Sequence, residues 1–175
     1  MPGGRIDTDR AFTALGVAVL TISDSRDSSN DTSGDLLAER IATAGHHLRA
    51  RALVGDDKHA IQRQAREWIR DPGVNVIITN GGTGLADRHV TPQALRELFD
   101  QELEGFTVLW HLISYETVGV STMQSRACAG IAGKTIIYVL PGSTGACRDG
   151  WDKLISLQLD SRHRPCSIVE VLLAD

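Results

Sequence analysis

Aromatic residues make up only 5% of the 175 positions, so the core must be built from aliphatic side chains rather than stacked rings. Cysteine is equally scarce. Cys128, Cys147 and Cys166 stand far apart with no CxxC pair, which excludes a disulfide framework and a zinc knuckle and leaves reduced thiols. No apolar run approaches the ~18 residues that a bilayer span requires, and Met1 to Arg10 carries no apolar signal core, so the chain is expected in the cytosol, away from membranes. Positive charge is not in excess: 18 Lys and Arg against 22 Asp and Glu leave a net charge of −4. Broad attraction to nucleic acid is therefore not expected, and any phosphate binding has to be local. The six histidines form no HExxH, and the adjacent His46 and His47 would point to opposite faces of a strand, which argues against a histidine metal site.

What is present is ordinary globular composition, 42% hydrophobic and 23% charged, at a length that suits one domain. Residues 1–13 are read as a flexible tail and 14–175 as the domain, with no internal repeat. Leu15–Ile22 (LGVAVLTI) is an unbroken apolar run, the pattern of a strand buried on both faces of a parallel sheet. Thr32 or Ser33 is placed to cap a helix carrying Leu37 and Ile41. Leu48–Val54 alternates apolar residues with arginine, as an edge strand would. Ile61, Ala65, Trp68 and Ile69 repeat at helical spacing until Asp71-Pro72-Gly73, and Val74–Thr79 resumes the buried-strand pattern.

Further on, Thr91-Pro92 opens a helix, and a less regular one covers about 106–115. Ala127–Ala132 and Lys134–Leu140 read as a hairpin feeding a central strand, followed by a last helix capped by Ser143 or Thr144. Strands alternating with helices predict a three-layer α/β/α fold with a mostly parallel sheet, whose ligands bind beyond the carboxyl ends of the strands.

Three loops leave such strands. In Thr79-Asn80-Gly81-Gly82-Thr83-Gly84 the glycines leave backbone amides open to an anion, yet neither the GK[ST] of a P-loop nor a dinucleotide fingerprint is present. Leu140-Pro141-Gly142-Ser143-Thr144 runs from a strand into a helix. Thr21-Ile22-Ser23-Asp24-Ser25-Arg26 offers Ser23 and Ser25 as donors and Asp24 as an acceptor. Each loop taken singly is explained equally well by turn and capping chemistry, so their weight depends on meeting at one sheet edge.

ISDS at 22–25, NGGTG at 80–84, VTP at 90–92, QSRA at 124–127 and LPGST at 140–144 resemble the molybdenum cofactor biosynthesis protein B family, relatives of MogA and of the gephyrin G domain. The likeness runs from Leu15 through nearly the whole chain. It implies a mixed sheet flanked by helices, a homo-oligomer (trimer or hexamer), and binding of molybdopterin, whose terminal phosphate active relatives adenylylate with ATP and Mg²⁺. The product then goes to a molybdate-inserting partner enzyme.

On that resemblance Ser23, Asp24, Ser25, Gly81, Gly82, Thr83, Gly84, Ser125, Arg126, Pro141, Gly142 and Ser143 hold pterin and phosphate, with Arg126 as the fork for a phosphate. Asp56 is the catalytic and metal carboxylate. A solvated loop acid or a helix cap is the plainer reading of Asp56, and a surface or subunit-interface salt bridge that of Arg126. His89, read with Asp56 as catalytic, occupies the place of an aspartate in active relatives, and Gln93 that of a glutamate, which weakens the Mg²⁺ site; Asp87 stands two residues away as a substitute. The competing reading is a pterin-binding protein without transfer activity. Trp110 and Trp151 are read as core or interface packing rather than as a base-stacking platform.

Overall fold

The computed structural model describes residues 4–174; Met1–Gly3, the start of the expected tail, lie outside the described residues. In chain order the elements are β1 Arg5–Ile6, β2 Gly16–Ile22, α1 Thr32–Thr43, β3 His47–Val54, α2 Lys58–Ile69, β4 Val76–Asn80, α3 Thr91–Arg96, β5 Gln101–Glu102 and α4 Glu104–Val118. They continue with β6 Cys128–Ala132, β7 Thr135–Leu140, α5 Thr144–Gly150, a π-helical turn Trp151–Ile155, α6 Ser156–Leu159, β8 His163–Arg164 and α7 Ile168–Leu172. The main sheet has the order β3-β2-β4-β7-β6-β5, parallel through its first four strands and antiparallel through β6 and β5.

Burial follows from that order. Every residue of β2 is buried because β3 and β4 flank it and helices cover both faces. Val17, Val19, Val76, Ile78 and Ile136 face α1, α4 and the C-terminal helices, whereas Ala18, Leu20, Ile77, Ile137 and Val139 face α2 and α3. The expected α/β/α layering is what the chain adopts. β3 is an edge strand with exposed residues in its first half, as its alternating arginines suggest. Trp110 and Trp151 are each 2% exposed, core residues rather than a stacking platform.

Two local expectations need correction. α1 begins at Thr32, so its cap is Asp31, whose Oδ1 accepts from the Gly34 amide at 3.0 Å, and neither Thr32 nor Ser33 caps it. Part of the segment read as a tail is tied to the body: β1 pairs with β8, and the Thr13 amide donates to Ser161 Oγ at 2.8 Å.

His46 and His47 part company as their adjacency predicts. His47 is exposed, while His46, 5% exposed, accepts from the Leu15 amide on Nδ1 at 3.2 Å. Burial pushes the His46 pKa below the ordinary imidazole value; Asp160 opposes the shift and His47 adds to it. The unfolded chain therefore takes up a proton near pH 6.5 that the folded chain refuses until lower pH. Stability is expected to fall as the pH drops from about 7.5 through 6.5 and to level off below the folded pKa. Urea midpoints across that range check this, and His46→Asn, which keeps an acceptor but does not titrate, should flatten the profile.

Candidate functional site

Strand register builds the rim. Thr21 lies opposite Asn80, and Asn80 opposite Leu140, so β2, β4 and β7 end at one level and their loops leave the sheet side by side. The seam between them is tight. The Gly81 amide donates to the Leu140 carbonyl at 3.1 Å, and a Cβ built on Gly81 would stand 2.1 Å from the Ile22 carbonyl oxygen. Gly81 and Gly82 have φ of +101° and +62°, left-handed values that favour glycine. A Cβ on Gly142 would meet the Gly81 Cα at 3.1 Å. Edge strand β3 joins the rim through the Ser23 amide, which donates to the Val54 carbonyl at 2.9 Å and so brings in Gly55–Asp57.

The three loops thus meet, but not all their side chains are free. Ser23 Oγ accepts from the amides of Ser25 and Arg26 at 3.2 and 3.1 Å, closing its own turn, with Ser25 exposed beside it. Asp24 Oδ1 accepts from the Asp56 amide at 2.9 Å, pinning one loop to the next. Pro141 offers its carbonyl to the Cys147 thiol, and Ser143 caps α5 by accepting from the Ala146 amide at 3.2 Å. Ser125 is spent on the core, accepting from Trp110 Nε1 at 2.8 Å. Burial pushes the Cys147 thiol up to about 12 and that of Cys128 up to about 11, so neither supplies a thiolate.

Beneath the rim runs a buried polar chain that sequence reasoning missed. Asn80 Nδ2 donates to Thr21 Oγ1 (3.0 Å), Thr21 donates to Asp31 Oδ2 (2.7 Å), and Ser33 Oγ donates to Asn80 Oδ1 (2.9 Å). Arg26 donates to Ser33 Oγ and, through Nη2, to the Gly142 carbonyl at 3.1 Å. The guanidinium beside the Gly142 loop is therefore Arg26. A polar Asn80 ending a strand that starts Val-Ile-Ile was the available signal, since a buried amide has to find partners.

Asp56 sits at the rim with its side chain 7% exposed, Oδ1 accepting from the Val90 amide at 3.4 Å and Oδ2 lying 3.9 Å from His89 Nε2. A Cβ on Gly82 would stand 2.6 Å from Asp56 Oδ1, so that glycine lets the backbone lie directly on the carboxylate. Arg126, expected to grip phosphate, instead donates to the carbonyls of Thr83, Gly84 and His89. Asp87, the suggested substitute carboxylate, lies in the exposed part of the same loop. Among the described residues no three His, Cys, Asp or Glu side chains cluster as a metal cage. The donor set therefore fits Mg²⁺ only in the form in which nucleotide phosphates bring most of the ligands and the protein adds one or two carboxylates. No helix among the described residues is long and apolar enough to cross a membrane.

Residues 18–161 match the family described as a probable molybdopterin binding domain. The chain is 45% identical over 156 residues to the molybdenum cofactor biosynthesis protein B of Escherichia coli K12, covering 89% of this chain and 92% of that one. A crystal structure of a molybdenum cofactor biosynthesis protein B superposes with a TM-score of 0.83 at 40% identity over 86% of this chain and 94% of the other. The tungsten cofactor synthesizing protein MoaB of Pyrococcus furiosus does so at 0.74 and 33% identity, over 83% and 93%. With three strand-end loops joined at one rim and these likenesses spanning most of its length, the chain belongs to the molybdopterin-binding-domain family of molybdenum cofactor biosynthesis, alongside its protein B members.

Proposed function

We propose that the chain binds molybdopterin across the β2, β4 and β7 loops and transfers an adenylyl group from ATP to its terminal phosphate. The observation that carries this reading is the meeting of Ser23–Arg26, Gly81–Gly84 and Pro141–Ser143 beside one nearly buried carboxylate, Asp56. In the transfer a terminal phosphate oxygen attacks the ATP α-phosphorus, the bond to the β-phosphate breaks, and pyrophosphate leaves. Two anions must be brought together, so a site for this reaction needs open amides, fixed placement and little covalent help. Mg²⁺, when bound with ATP, neutralises phosphate charge. This chain's part is to present the Gly81–Gly84 backbone to the phosphates, to hold Asp56 where it meets that ion, and to fix the Gly142 loop through Arg26.

A second reading, pterin binding without transfer, has its own support. His89, not a carboxylate, faces Asp56, and no third His, Cys, Asp or Glu joins the pair to complete a cage among the described residues. Purified protein incubated with molybdopterin, ATP and Mg²⁺ is expected to release pyrophosphate and adenylylated pterin in equal amounts. Pterin binding with no product, and product restored in His89→Asp, would select the second reading; no pterin binding overturns both. We also place the protein in a trimer or hexamer that hands its product to a molybdate-inserting enzyme. The support for assembly is the exposed apolar face of α4 and the turn after it, where Val108, Leu112, Tyr115, Val120 and Met123 lie open.

A further inference from the structure

Among the described residues, every hydrogen bond tying Thr83–His89 to the rest of the chain comes from one side chain. Arg126 Nε donates to the Thr83 carbonyl at 3.1 Å, and its Nη2 donates to the carbonyls of Gly84 and His89. Both ends of the loop are thus gathered on a single guanidinium 37 to 43 residues away in sequence. The middle of the loop, Leu85–Arg88, is exposed, and its one internal backbone bond runs from the His89 amide to the Ala86 carbonyl at 2.8 Å. Arg126 is itself delivered from a fixed point, because its neighbour Ser125 is bonded to the core residue Trp110.

We infer that Arg126 is a positioning residue, which clasps the loop so that Gly82, His89 and Thr91 keep their places against Asp56, and does not itself bind phosphate. The guanidinium has too few free protons to grip phosphate as well. Nε has one hydrogen and Nη2 two, and all three are committed to carbonyls, so only Nη1 remains and the two-nitrogen edge that grips phosphate is not available. The loop also has reason to open without a clasp. His89 Nδ1 and Thr91 Oγ1 are buried without partners beneath it, where a Cβ on Gly84 or Gly82 would come within 2.3 or 2.2 Å of them. Burying unpaired polar atoms is unfavourable, so the closed loop needs a bond holding it from outside. What the loop does for a ligand rests on the proposed pterin and nucleotide site; the clasp itself does not.

Limited trypsin digestion of the full chain, followed by mass spectrometry, tests the two separately. Arg88 lies exposed within the loop and Arg70 lies exposed at the end of α2. In Arg126→Gln, cleavage after Arg88 is expected to rise about tenfold or more, the effect of losing one hydrogen bond to a charged donor, with cleavage after Arg70 unchanged. Should Arg126→Gln fail to fold, Arg126→Lys, which keeps the charge but cannot reach three carbonyls at once, is expected to show the same selective rise. ATP affinity, measured by equilibrium dialysis, should fall in both variants in step with the opening. Cleavage after Arg88 at the wild-type rate together with lost ATP binding would overturn the inference and make Arg126 a direct phosphate ligand. Should wild-type protein fail to bind ATP, the nucleotide reading fails while the Arg88 comparison still decides the clasp.

Discussion

Gly81→Ala is expected to destabilise the protein by roughly 2–6 kcal/mol and to remove molybdopterin binding with it. Two independent costs add. An alanine at φ +101° is held in a region that L side chains rarely adopt, at about 1–3 kcal/mol. Its Cβ would also lie 2.1 Å from the Ile22 carbonyl, a backbone atom that no side-chain rotation can move aside, and forced overpacking of this kind costs about 1–3 kcal/mol. Relief requires β2 and β4 to separate where their loops must meet. Gly145→Ala is the control, because a Cβ there meets nothing within 4 Å and the position is helical. It is expected to be neutral or slightly stabilising. Urea unfolding and pterin titration of both variants check the pair. A Gly81→Ala protein with wild-type midpoint and affinity would show that the seam is not what aligns the loops.

Asp56→Asn is expected to lower adenylyl transfer by about 10²-fold or more while leaving pterin affinity within a few-fold of wild type. The substitution keeps shape and one acceptor, so the Val90 amide at 3.4 Å still has a partner and the loop need not move. What is lost is the negative charge. The nearest basic group is His89, with its Nε2 at 3.9 Å, beyond hydrogen-bond distance, so little stability depends on that pair. A large effect on turnover with a small effect on folding would therefore assign the charge to the reaction and its Mg²⁺. Unchanged turnover would remove Asp56 from the chemistry; an equal loss of stability would make it a structural acid.

The apolar runs of β2, β4 and β7 and the helical spacing of Ile61, Ala65 and Trp68 were readable because each period reflects a local rule: side chains alternate in strands and return every 3.6 residues in helices. The hairpin of β6 and β7 was readable from its paired strand patterns, and the cap of α5 was narrowed to Ser143 or Thr144, of which the fold uses Ser143. Asp31 as a cap was missed because Thr32 and Ser33 are equally good capping residues. The choice fell to Asp31 through a partner across the fold, Arg51 on β3, 3.2 Å away.

The two arginines mark the boundary. The family resemblance of QSRA made Arg126 the anion fork, while Arg26 was given no role; in the fold Arg26 reaches the Gly142 carbonyl and Arg126 turns onto the loop of Thr83, Gly84 and His89. Long side chains with several rotatable bonds take their direction from distant acceptors, about which neighbouring residues carry no information. Element type, the alternation of layers and the three polar strand-end loops, two of them glycine-bearing, followed from the sequence alone, since they depend on nearest-neighbour geometry and hydrophobic period. Which loop ends lie level, which guanidinium meets which carbonyl, and which polar atoms remain unpartnered beneath Gly82 and Gly84 were decided by tertiary structure, because each depends on strand register across a sheet assembled from residues more than fifty positions apart.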